Sequence, residues 1–264
     1  MKNEFILAYP KQELLEALIS NPAIQHTDID GCESFGYRGK ETNGFRAFAE
    51  VFDGLTGLSY FSRREELEKS TTEIHPIPYI LFERADESIY TYQRGKETEE
   101  GRLAGDDSVG VGGHPEIKDA APPLQFVPYL HAFAAALDEW LTYGTDLQTL
   151  VAAILREAHE EVRLVPVVNS GFVDLDTDYD FRFHGFLYDK TNDVGIRHLA
   201  MVFTVKIPND MDVKSKEMVI EDRGFFQPEE IIERNKQGLI RLENWSKVMV
   251  EHLAYLKTLK PAVV

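Results

Sequence analysis

The sequence Arg-Glu-Ala-His-Glu-Glu at positions 156–161 places one arginine and three carboxylates within six residues. Apolar residues around it recur at helical spacing, namely Leu147, Leu150, Val151, Ile154, Leu155, Ala158 and Val162. Residues three and four positions apart share a helix face, so Glu157, Glu160 and Glu161 are expected to line one edge. Like charges held together are costly unless a cation lies among them, and hard oxygen ligands suit Mg²⁺ or Mn²⁺. The pattern therefore predicts a helix from about Asp146 to Val162 that carries a divalent-metal site.

A second feature lies upstream, at positions 108–116, where Ser-Val-Gly-Val-Gly-Gly-His-Pro-Glu forms a short apolar strand that runs into a double glycine. Glycines let the backbone turn sharply or approach a ligand closely. Alone, each feature has an ordinary explanation, because an acidic run on a helix is usually a solvated face and a glycine pair is usually a turn. Their occurrence together favours a functional site.

Together the two stretches resemble the box of the Nudix hydrolase family. That box reads Gly, five residues, Glu, seven residues, then Arg-Glu-U-x-Glu-Glu-x-Gly-U, where U is a bulky apolar residue. Gly113 fits the opening glycine, and Asp119 stands where the family has glutamate. Residues 156–164 fit the closing segment, with the arginine and all three glutamates in place. The resemblance extends over positions 77–232.

The box departs from the family pattern in four ways, of which one is the small Ala158 at the position of a bulky apolar residue. Between Asp119 and Arg156 lie 36 residues where the pattern has seven, Arg163 replaces the usual glycine, and aspartate is shorter than glutamate. If the box is read without an insertion, Thr142 and Gln148 fall at the glycine and glutamate positions, and both fail. We therefore interpret the box as interrupted.

The insertion, at about 120–144, has a structure of its own. Pro122-Pro123 breaks the chain, and apolar residues with helical spacing follow as far as Trp140 and Leu141. We expect an inserted helix that packs on the core near the active site, with Trp140 mostly buried. Residues 75–264 then form a Nudix-like domain, and residues 1–74 an N-terminal extension or small subdomain.

The resemblance implies an α/β fold: a Nudix-like α/β/α sandwich around a mixed β-sheet, with an N-terminal extension and an inserted helix. It also implies metal-dependent hydrolysis of a diphosphate bond in a nucleoside diphosphate linked to another group. Mg²⁺ or Mn²⁺ would be held by Glu157, Glu160 and Glu161. Arg156 would orient a glutamate, although a surface salt bridge explains that arginine equally well.

Other candidate site residues lie outside the helix. Gly113, Arg94 and Arg102 are candidates for contacts with the substrate, since arginine suits phosphate. The catalytic base in this family often lies on a loop outside the box, and Glu217 and Glu221 are candidates for it. For each arginine, a solvated side chain is the simpler interpretation.

The histidines and the cysteine are assigned from their neighbours. We expect His159 to point off the carboxylate edge and to be non-catalytic, and His198, before an apolar strand, to be buried and hydrogen-bonded. His114 borders the glycine turn, so a metal role there stays open. Cys32 is expected to be a plain small residue near Gly31.

Two other function classes remain open. A catalytically silent binding or regulatory module that kept the fold would account for Asp119 and Arg163, but has no need of clustered carboxylates. An isomerase of the isopentenyl-diphosphate type resembles this fold and also has a His-Pro after the early strand. That family carries a cysteine just upstream, where this chain has Gly112 and Gly113.

The amino-acid composition limits the kinds of partner that this protein can bind. The net charge is −17, from 28 basic and 45 acidic residues, which argues against a nucleic-acid polymer as partner because phosphate neutralisation needs a basic surface. We expect a small nucleotide or diphosphate substrate, no membrane, and a cytoplasmic protein, since the chain lacks a long apolar run and a signal pattern and has one cysteine. A homodimer is left open.

Hydrophobic periodicity predicts the remaining elements. Helices are expected at 11–19, 228–235 and 245–259, and strands at 77–82, 88–93, 165–168, 171–175, 181–187 and 198–207. Residues 25–44 are polar and rich in glycine, and are predicted to be loop. Residues 46–52 and 63–69 are ambiguous.

Overall fold

A computed structural model describes residues 4–29, 31–41, 43–52, 55, 57–95, 105–121, 145–166, 180–208, 210–216 and 221–258. The fold is mixed α/β, with a large central mixed sheet and six helices in these ranges. The α/β class predicted from the sequence is therefore confirmed. The chain divides into two compact units, which are described separately. The first comprises residues 1–80, 112–159 and 176–205, and the second residues 81–111, 160–175 and 206–264.

The described strands are β1 (Phe5–Pro10), β2 (Ile24–Ile29), β3 (Cys32–Tyr37), β4 (Tyr60–Arg63), β5 (Glu73–Arg84), β6 (Ile89–Gln93), β7 (Asp107–Ser108), β8 (Gly110–Val111), β9 (Val162–Pro166), β10 (Asp180–Asp189), β11 (His198–Ile207), β12 (Met211–Ser215) and β13 (Glu221–Phe226). The described helices are α1 (Lys11–Ser20), α2 (Gly44–Phe52), α3 (Arg64–Leu67), α4 (Thr145–Glu161), α5 (Pro228–Lys236) and α6 (Asn244–Thr258).

In the first unit the strands are ordered β5-β11-β10-β3-β2, and β1 pairs with both β4 and β5. Strands β2 and β3 form an antiparallel hairpin with Ile29 opposite Cys32, and β10 continues the sheet with Phe186 opposite Phe35. In β11 every residue except Lys206 is buried, as expected for a strand covered on both faces.

A cluster of phenylalanines forms the core beside this sheet. Phe48 and Phe52 of α2 lie with ring centroids 4.6 Å apart, and Phe48 is 5.3 Å from Phe183 and 5.5 Å from Phe203. The apolar face of α2 therefore packs on β10 and β11 through aromatic contacts at ordinary distances.

In the second unit β6 pairs with β7 and β13, and β9 pairs with β12. Helices α5 and α6 contact each other. Asp107 is buried and accepts hydrogen bonds from the backbone N–H of Arg241 at 3.0 Å and from Arg223 Nε at 3.3 Å. Its charge is therefore compensated from two sides.

Most predicted elements are confirmed, with shifts of a few residues at their ends. Helix α4 and strand β11 lie where the periodicity places them, and the ambiguous stretches 46–52 and 63–69 hold α2 and α3. The insertion 122–144 with Trp140, and the predicted strand 171–175, fall outside the described residues.

The prediction of loop for residues 25–44 is wrong, since they contain most of the β2–β3 hairpin and the start of α2. Asp-Gly at 30–31 separates the two paired strands, and Gly31 has a φ of +85°. Asp-Gly is the pair that favours tight hairpins, so the polar composition was outweighed by turn chemistry.

The aromatic cluster yields a stability prediction. Phe48→Ala removes a fully buried ring, so it should lower the free energy of unfolding by about 3–5 kcal/mol in urea titrations. The control Ile19→Ala changes a side chain that is 52% exposed and should alter stability by no more than about 0.5 kcal/mol. Equal effects of the two substitutions would contradict the packing described for α2.

Candidate active site

A buried ion pair joins the two halves of the interrupted box. Arg156 of α4 donates from Nε to Asp119 Oδ1 at 2.8 Å and from Nη2 to Oδ2 at 2.9 Å, across 37 positions of sequence. Arg156 is 3% exposed and Asp119 is 1% exposed. The interpretation of Arg156 as a surface salt bridge is therefore wrong, because the guanidinium makes a bidentate contact away from water.

Local structure holds Asp119 in place. It lies in a 3₁₀ turn, Ile117–Ala120, that begins with a capping box between Glu116 and Asp119. The backbone N–H of Glu116 donates to Asp119 Oδ2 at 2.8 Å. The carboxylate is thus fixed by a backbone donor on one side and by the arginine fork on the other.

Glu157 lies beside this pair, and its carboxylate lies against Gly113. It is 5% exposed, and its Oε1 lies 2.6 Å from Arg156 Nη1. A Cβ on Gly113 would lie 2.6 Å from the same Oε1, so any larger residue would displace the carboxylate. A hydrogen bond also holds the backbone that follows the double glycine, because Arg156 Nη2 donates to the carbonyl of His114 at 3.0 Å. Glycine at 113 therefore lets the Glu157 carboxylate approach the backbone closely.

The other two glutamates of the stretch are less buried. Glu160 is exposed and Glu161 is half-buried, and both belong to the second unit. The backbone carbonyl of Glu161 accepts from the N–H of Lys216 at 2.9 Å. Strand β9 starts directly after the helix, with Arg163 exposed and opposite Lys214 of β12.

The arginine and glutamate candidates of the second unit have protein partners. Arg94 Nε donates to Glu243 Oε2 at 3.1 Å, and Glu243 is 6% exposed. Glu221 is exposed and pairs with Arg223 at 2.6 Å. Arg102 and Glu217 fall outside the described residues.

Apart from His114, for which a metal role is left open above, sequence reasoning missed a second group of potential ligands in the first unit. His198 is buried, as predicted, and its Nε2 lies 3.2 Å from His114 Nε2. His75 and Glu68 complete the group, with one donor atom of each residue within 4.8 Å of all the others. No motif marks these residues, because four separate segments supply them.

Cys32 is buried, and burial raises the pKa of its thiol to about 12. A thiol with such a pKa stays protonated at neutral pH and is a poor nucleophile. The prediction that Cys32 is a plain small residue agrees with this environment.

Comparison with known proteins supports the fold. No family model matches the sequence, and no curated protein matches it. The solved structure of Tm1382, named as a candidate Nudix hydrolase, is similar with a TM-score of 0.58 and 20% identity, over 96% of this chain and 100% of that chain. At this identity the likeness shows the fold alone.

Two further solved structures are similar over 68% of this chain. DR0079 from Deinococcus radiodurans has 14% identity over 82% of its length, with a TM-score of 0.39. A NUDIX hydrolase from Alicyclobacillus acidocaldarius has 13% identity over 90% of its length, with a TM-score of 0.45. These TM-scores are too low to add to the argument. The Tm1382 likeness identifies the fold of this chain as that of Nudix proteins.

The buried ion pair predicts a large loss of stability on Asp119→Asn. The substitution removes the bidentate one of the two carboxylate partners of the buried Arg156 guanidinium, so the free energy of unfolding should fall by about 3–5 kcal/mol. Chemical denaturation followed by circular dichroism measures the change.

Glu65→Gln is the matched control, because the pair between Glu65 and Lys69 is exposed. Its stability should be nearly that of the unmodified protein, since exposed pairs contribute little. An Asp119→Asn protein as stable as this control would refute the buried pair as described.

Proposed function

We propose that this protein is a metal-dependent hydrolase of the Nudix type that cleaves a diphosphate bond in a nucleoside diphosphate linked to another group. The proposal rests on the contacts that bring Gly113, Asp119, Arg156 and Glu157 together. Residues from the two halves of the proposed box are 37 or more positions apart in sequence, yet they are in contact. The Nudix fold adds independent support.

The ion pair has a role beyond stability in this proposal. A buried ion pair is weak evidence for stability, because desolvation offsets much of the attraction. Here the same guanidinium that binds Asp119 also reaches Glu157 Oε1. It thereby fixes the orientation of the carboxylate, which is what a metal-ligating glutamate needs.

The donor set of the helix fits a hard divalent cation. Glu157, Glu160 and Glu161 are carboxylates, the ligands that Mg²⁺ and Mn²⁺ prefer, and they would hold the ion. When bound, the ion would polarise a phosphoryl oxygen and lower the pKa of a water molecule. The protein's own contribution is to hold Glu157 with Arg156 and to leave room for it at Gly113.

A small anionic substrate suits the charge of the chain. At a net charge of −17, binding of a nucleic-acid polymer would be opposed by repulsion, whereas bound cations would bridge the carboxylates to a diphosphate. Arg94 remains a candidate for phosphate contact, although its partner Glu243 would compete for it.

A catalytically silent binding module is the second candidate. It is favoured by the contact of Arg156 with Glu157, which already compensates one of the three charges, and by Arg163 at the usual glycine. An isomerase of the isopentenyl-diphosphate type is disfavoured, because the one cysteine is buried and protonated.

Turnover should depend on Glu161 far more than on His159. Glu161→Gln removes a proposed metal ligand. A bound metal ion stabilises the charge of the transition state by several kcal/mol, so kcat should fall by roughly 100-fold or more. His159 lies about 100° around the helix from Glu160 and should face away from the ion, so His159→Ala is the matched control.

Turnover is measured in a substrate screen that contains dinucleotide polyphosphates, nucleoside diphosphate sugars, NADH and oxidised nucleotides. The readout is the release of phosphate or nucleotide. It is run at saturating Mg²⁺ or Mn²⁺, so that weak metal binding is not mistaken for slow chemistry. Loss of activity in His159→Ala but not in Glu161→Gln would refute the helix register. If neither metal supports turnover of any diphosphate compound, the binding module becomes the better assignment.

Metal binding should also stabilise the native state. At free Mg²⁺ or Mn²⁺ near 100 times Kd, a native-state ligand contributes about 2.7 kcal/mol, which thermal denaturation detects as a higher Tm. The double variant Glu160→Gln, Glu161→Gln should lose this response, and His159→Ala should keep it. Identical metal responses in the unmodified protein and the double variant would place the ion elsewhere.

A further inference from the structure

Four potential metal ligands converge in the first unit, away from the carboxylate stretch in sequence. Glu68 follows α3, His75 lies on β5, His114 follows the double glycine and His198 opens β11. One donor atom of each residue lies within 4.8 Å of all the others. His75 and His198 are buried, while Glu68 and His114 are half-buried.

His75 is the residue in this cluster whose environment lacks an explanation. It is 0% exposed, and neither ring nitrogen has a hydrogen-bond partner among the described residues. Its ring centroid lies 5.2 Å from that of His198 and 5.6 Å from that of His114. Buried polar atoms in native proteins are nearly always paired, so an unpartnered imidazole here points to a ligand.

His198 is oriented as metal-binding histidines are. Its Nδ1 lies 2.7 Å from the carbonyl oxygen of Val194, and a carbonyl can only accept. Nδ1 therefore carries the proton and donates it, which leaves the lone pair of the neutral ring on Nε2. Ligating histidines commonly donate their second ring N–H to a backbone carbonyl in this way.

The spacing of the nitrogens fits a tetrahedral ion. With Zn–N bonds of about 2.0–2.1 Å, two ligand nitrogens on a tetrahedron lie about 3.3 Å apart. The Nε2 atoms of His114 and His198 lie 3.2 Å apart. Glu68 Oε1 lies 3.8 Å and 4.0 Å from these two atoms, so a small rotation of its half-exposed side chain would close the set.

The carboxylate of the set has a partner of its own. Arg64 Nε lies 3.4 Å from Glu68 Oε1 and provides the outer contact that orients a ligating carboxylate.

We propose that Glu68, His75, His114 and His198 bind one Zn²⁺ ion, or a divalent ion with the same ligand preference. This structural site is separate from the carboxylates of the helix. Three imidazoles and one carboxylate suit Zn²⁺ over Mg²⁺, which prefers oxygen ligands only. Four protein ligands leave no open position, which is the mark of a structural site.

The site would stabilise the turn next to Glu157. His114 is a ligand through its ring, and its carbonyl accepts from Arg156 Nη2 at 3.0 Å. Gly113, one residue earlier, lies against the Glu157 carboxylate. An ion on His114 would therefore hold the backbone that positions Arg156 and Glu157.

The test uses the full chain, stripped with a chelator and then titrated with Co²⁺ as a spectroscopic probe and with Zn²⁺. In excess Mg²⁺, which occupies the proposed carboxylate site, we expect one equivalent of either metal by elemental analysis, the visible ligand-field absorption of tetrahedral Co²⁺, and a higher Tm with Zn²⁺. Glu68→Gln and His114→Gln should weaken binding by at least the roughly 100-fold that outer-shell substitutions can reach. Excess Mg²⁺ should not displace the Co²⁺.

Two matched variants separate this proposal from the proposed hydrolase. His26→Gln changes a histidine that pairs with Glu33 away from the cluster, and should bind Co²⁺ as the unmodified protein does. Glu157→Gln should also keep the Co²⁺ spectrum, whatever its activity. Glu68 is half-exposed, so its substitution tests the site even if His114→Gln fails to fold.

Three results would overturn the proposal. The first is that the unmodified protein shows no tetrahedral Co²⁺ absorption. The second is that this absorption persists in folded Glu68→Gln and His114→Gln. The third is that His26→Gln loses the absorption as fully as the two ligand variants do.

Discussion

The ion pair between Arg156 and Asp119 is the interaction on which the site depends. Neither group is in contact with water, so each charge must be compensated by the protein. The 3₁₀ turn supplies a backbone donor to Asp119, and Arg156 uses its remaining donors on Glu157 and on the carbonyl of His114. A change in any of these partners weakens the compensation of a buried charge. The pair therefore fixes where helix, turn and double glycine meet.

Strong periodicity explains which elements could be predicted from sequence. Helix α4 has apolar residues at helical spacing over four turns, and β11 contains the apolar run 199–203, so both follow from burial alone. The β2–β3 hairpin was missed because most of its residues are polar and its buried positions are few, Cys32 and Phe35 among them. The Asp-Gly pair at 30–31 was the available signal in the sequence, because Asp-Gly favours two-residue hairpin turns.

The candidate site was predictable only where its residues lie close together in sequence. The run 156–161 could be interpreted from helix geometry, and Asp119 from its distance to Gly113 in the family pattern. The histidine cluster could not, because its members come from four segments and acquire a common location only through the fold. His75 shows the difficulty best. In sequence it is one polar residue in a mostly apolar strand, and only packing shows that it is buried without a hydrogen-bond partner among the described residues.

The turn at residues 112–115 connects these observations, because each of its residues is held by a different contact. Gly112 has no room for a side chain under the carbonyl of Pro78, and Gly113 has none under Glu157. The carbonyl of Pro115 accepts from the N–H of Leu7 at 2.9 Å, so β1 anchors the end of the turn. His114 faces the histidine cluster with its ring and Arg156 with its carbonyl.

Under the two proposals above, such a turn could not shift for one proposed set of ligands without disturbing the other. Hard carboxylates and softer imidazoles prefer different ions, so the two proposed sets need not compete for the same metal. The backbone that joins Gly113 to His114 makes the position of Glu157 depend on how His114 is held. An ion bound by the histidines would therefore restrict the backbone next to the proposed hydrolytic site, although that ion takes part in no proposed chemical step.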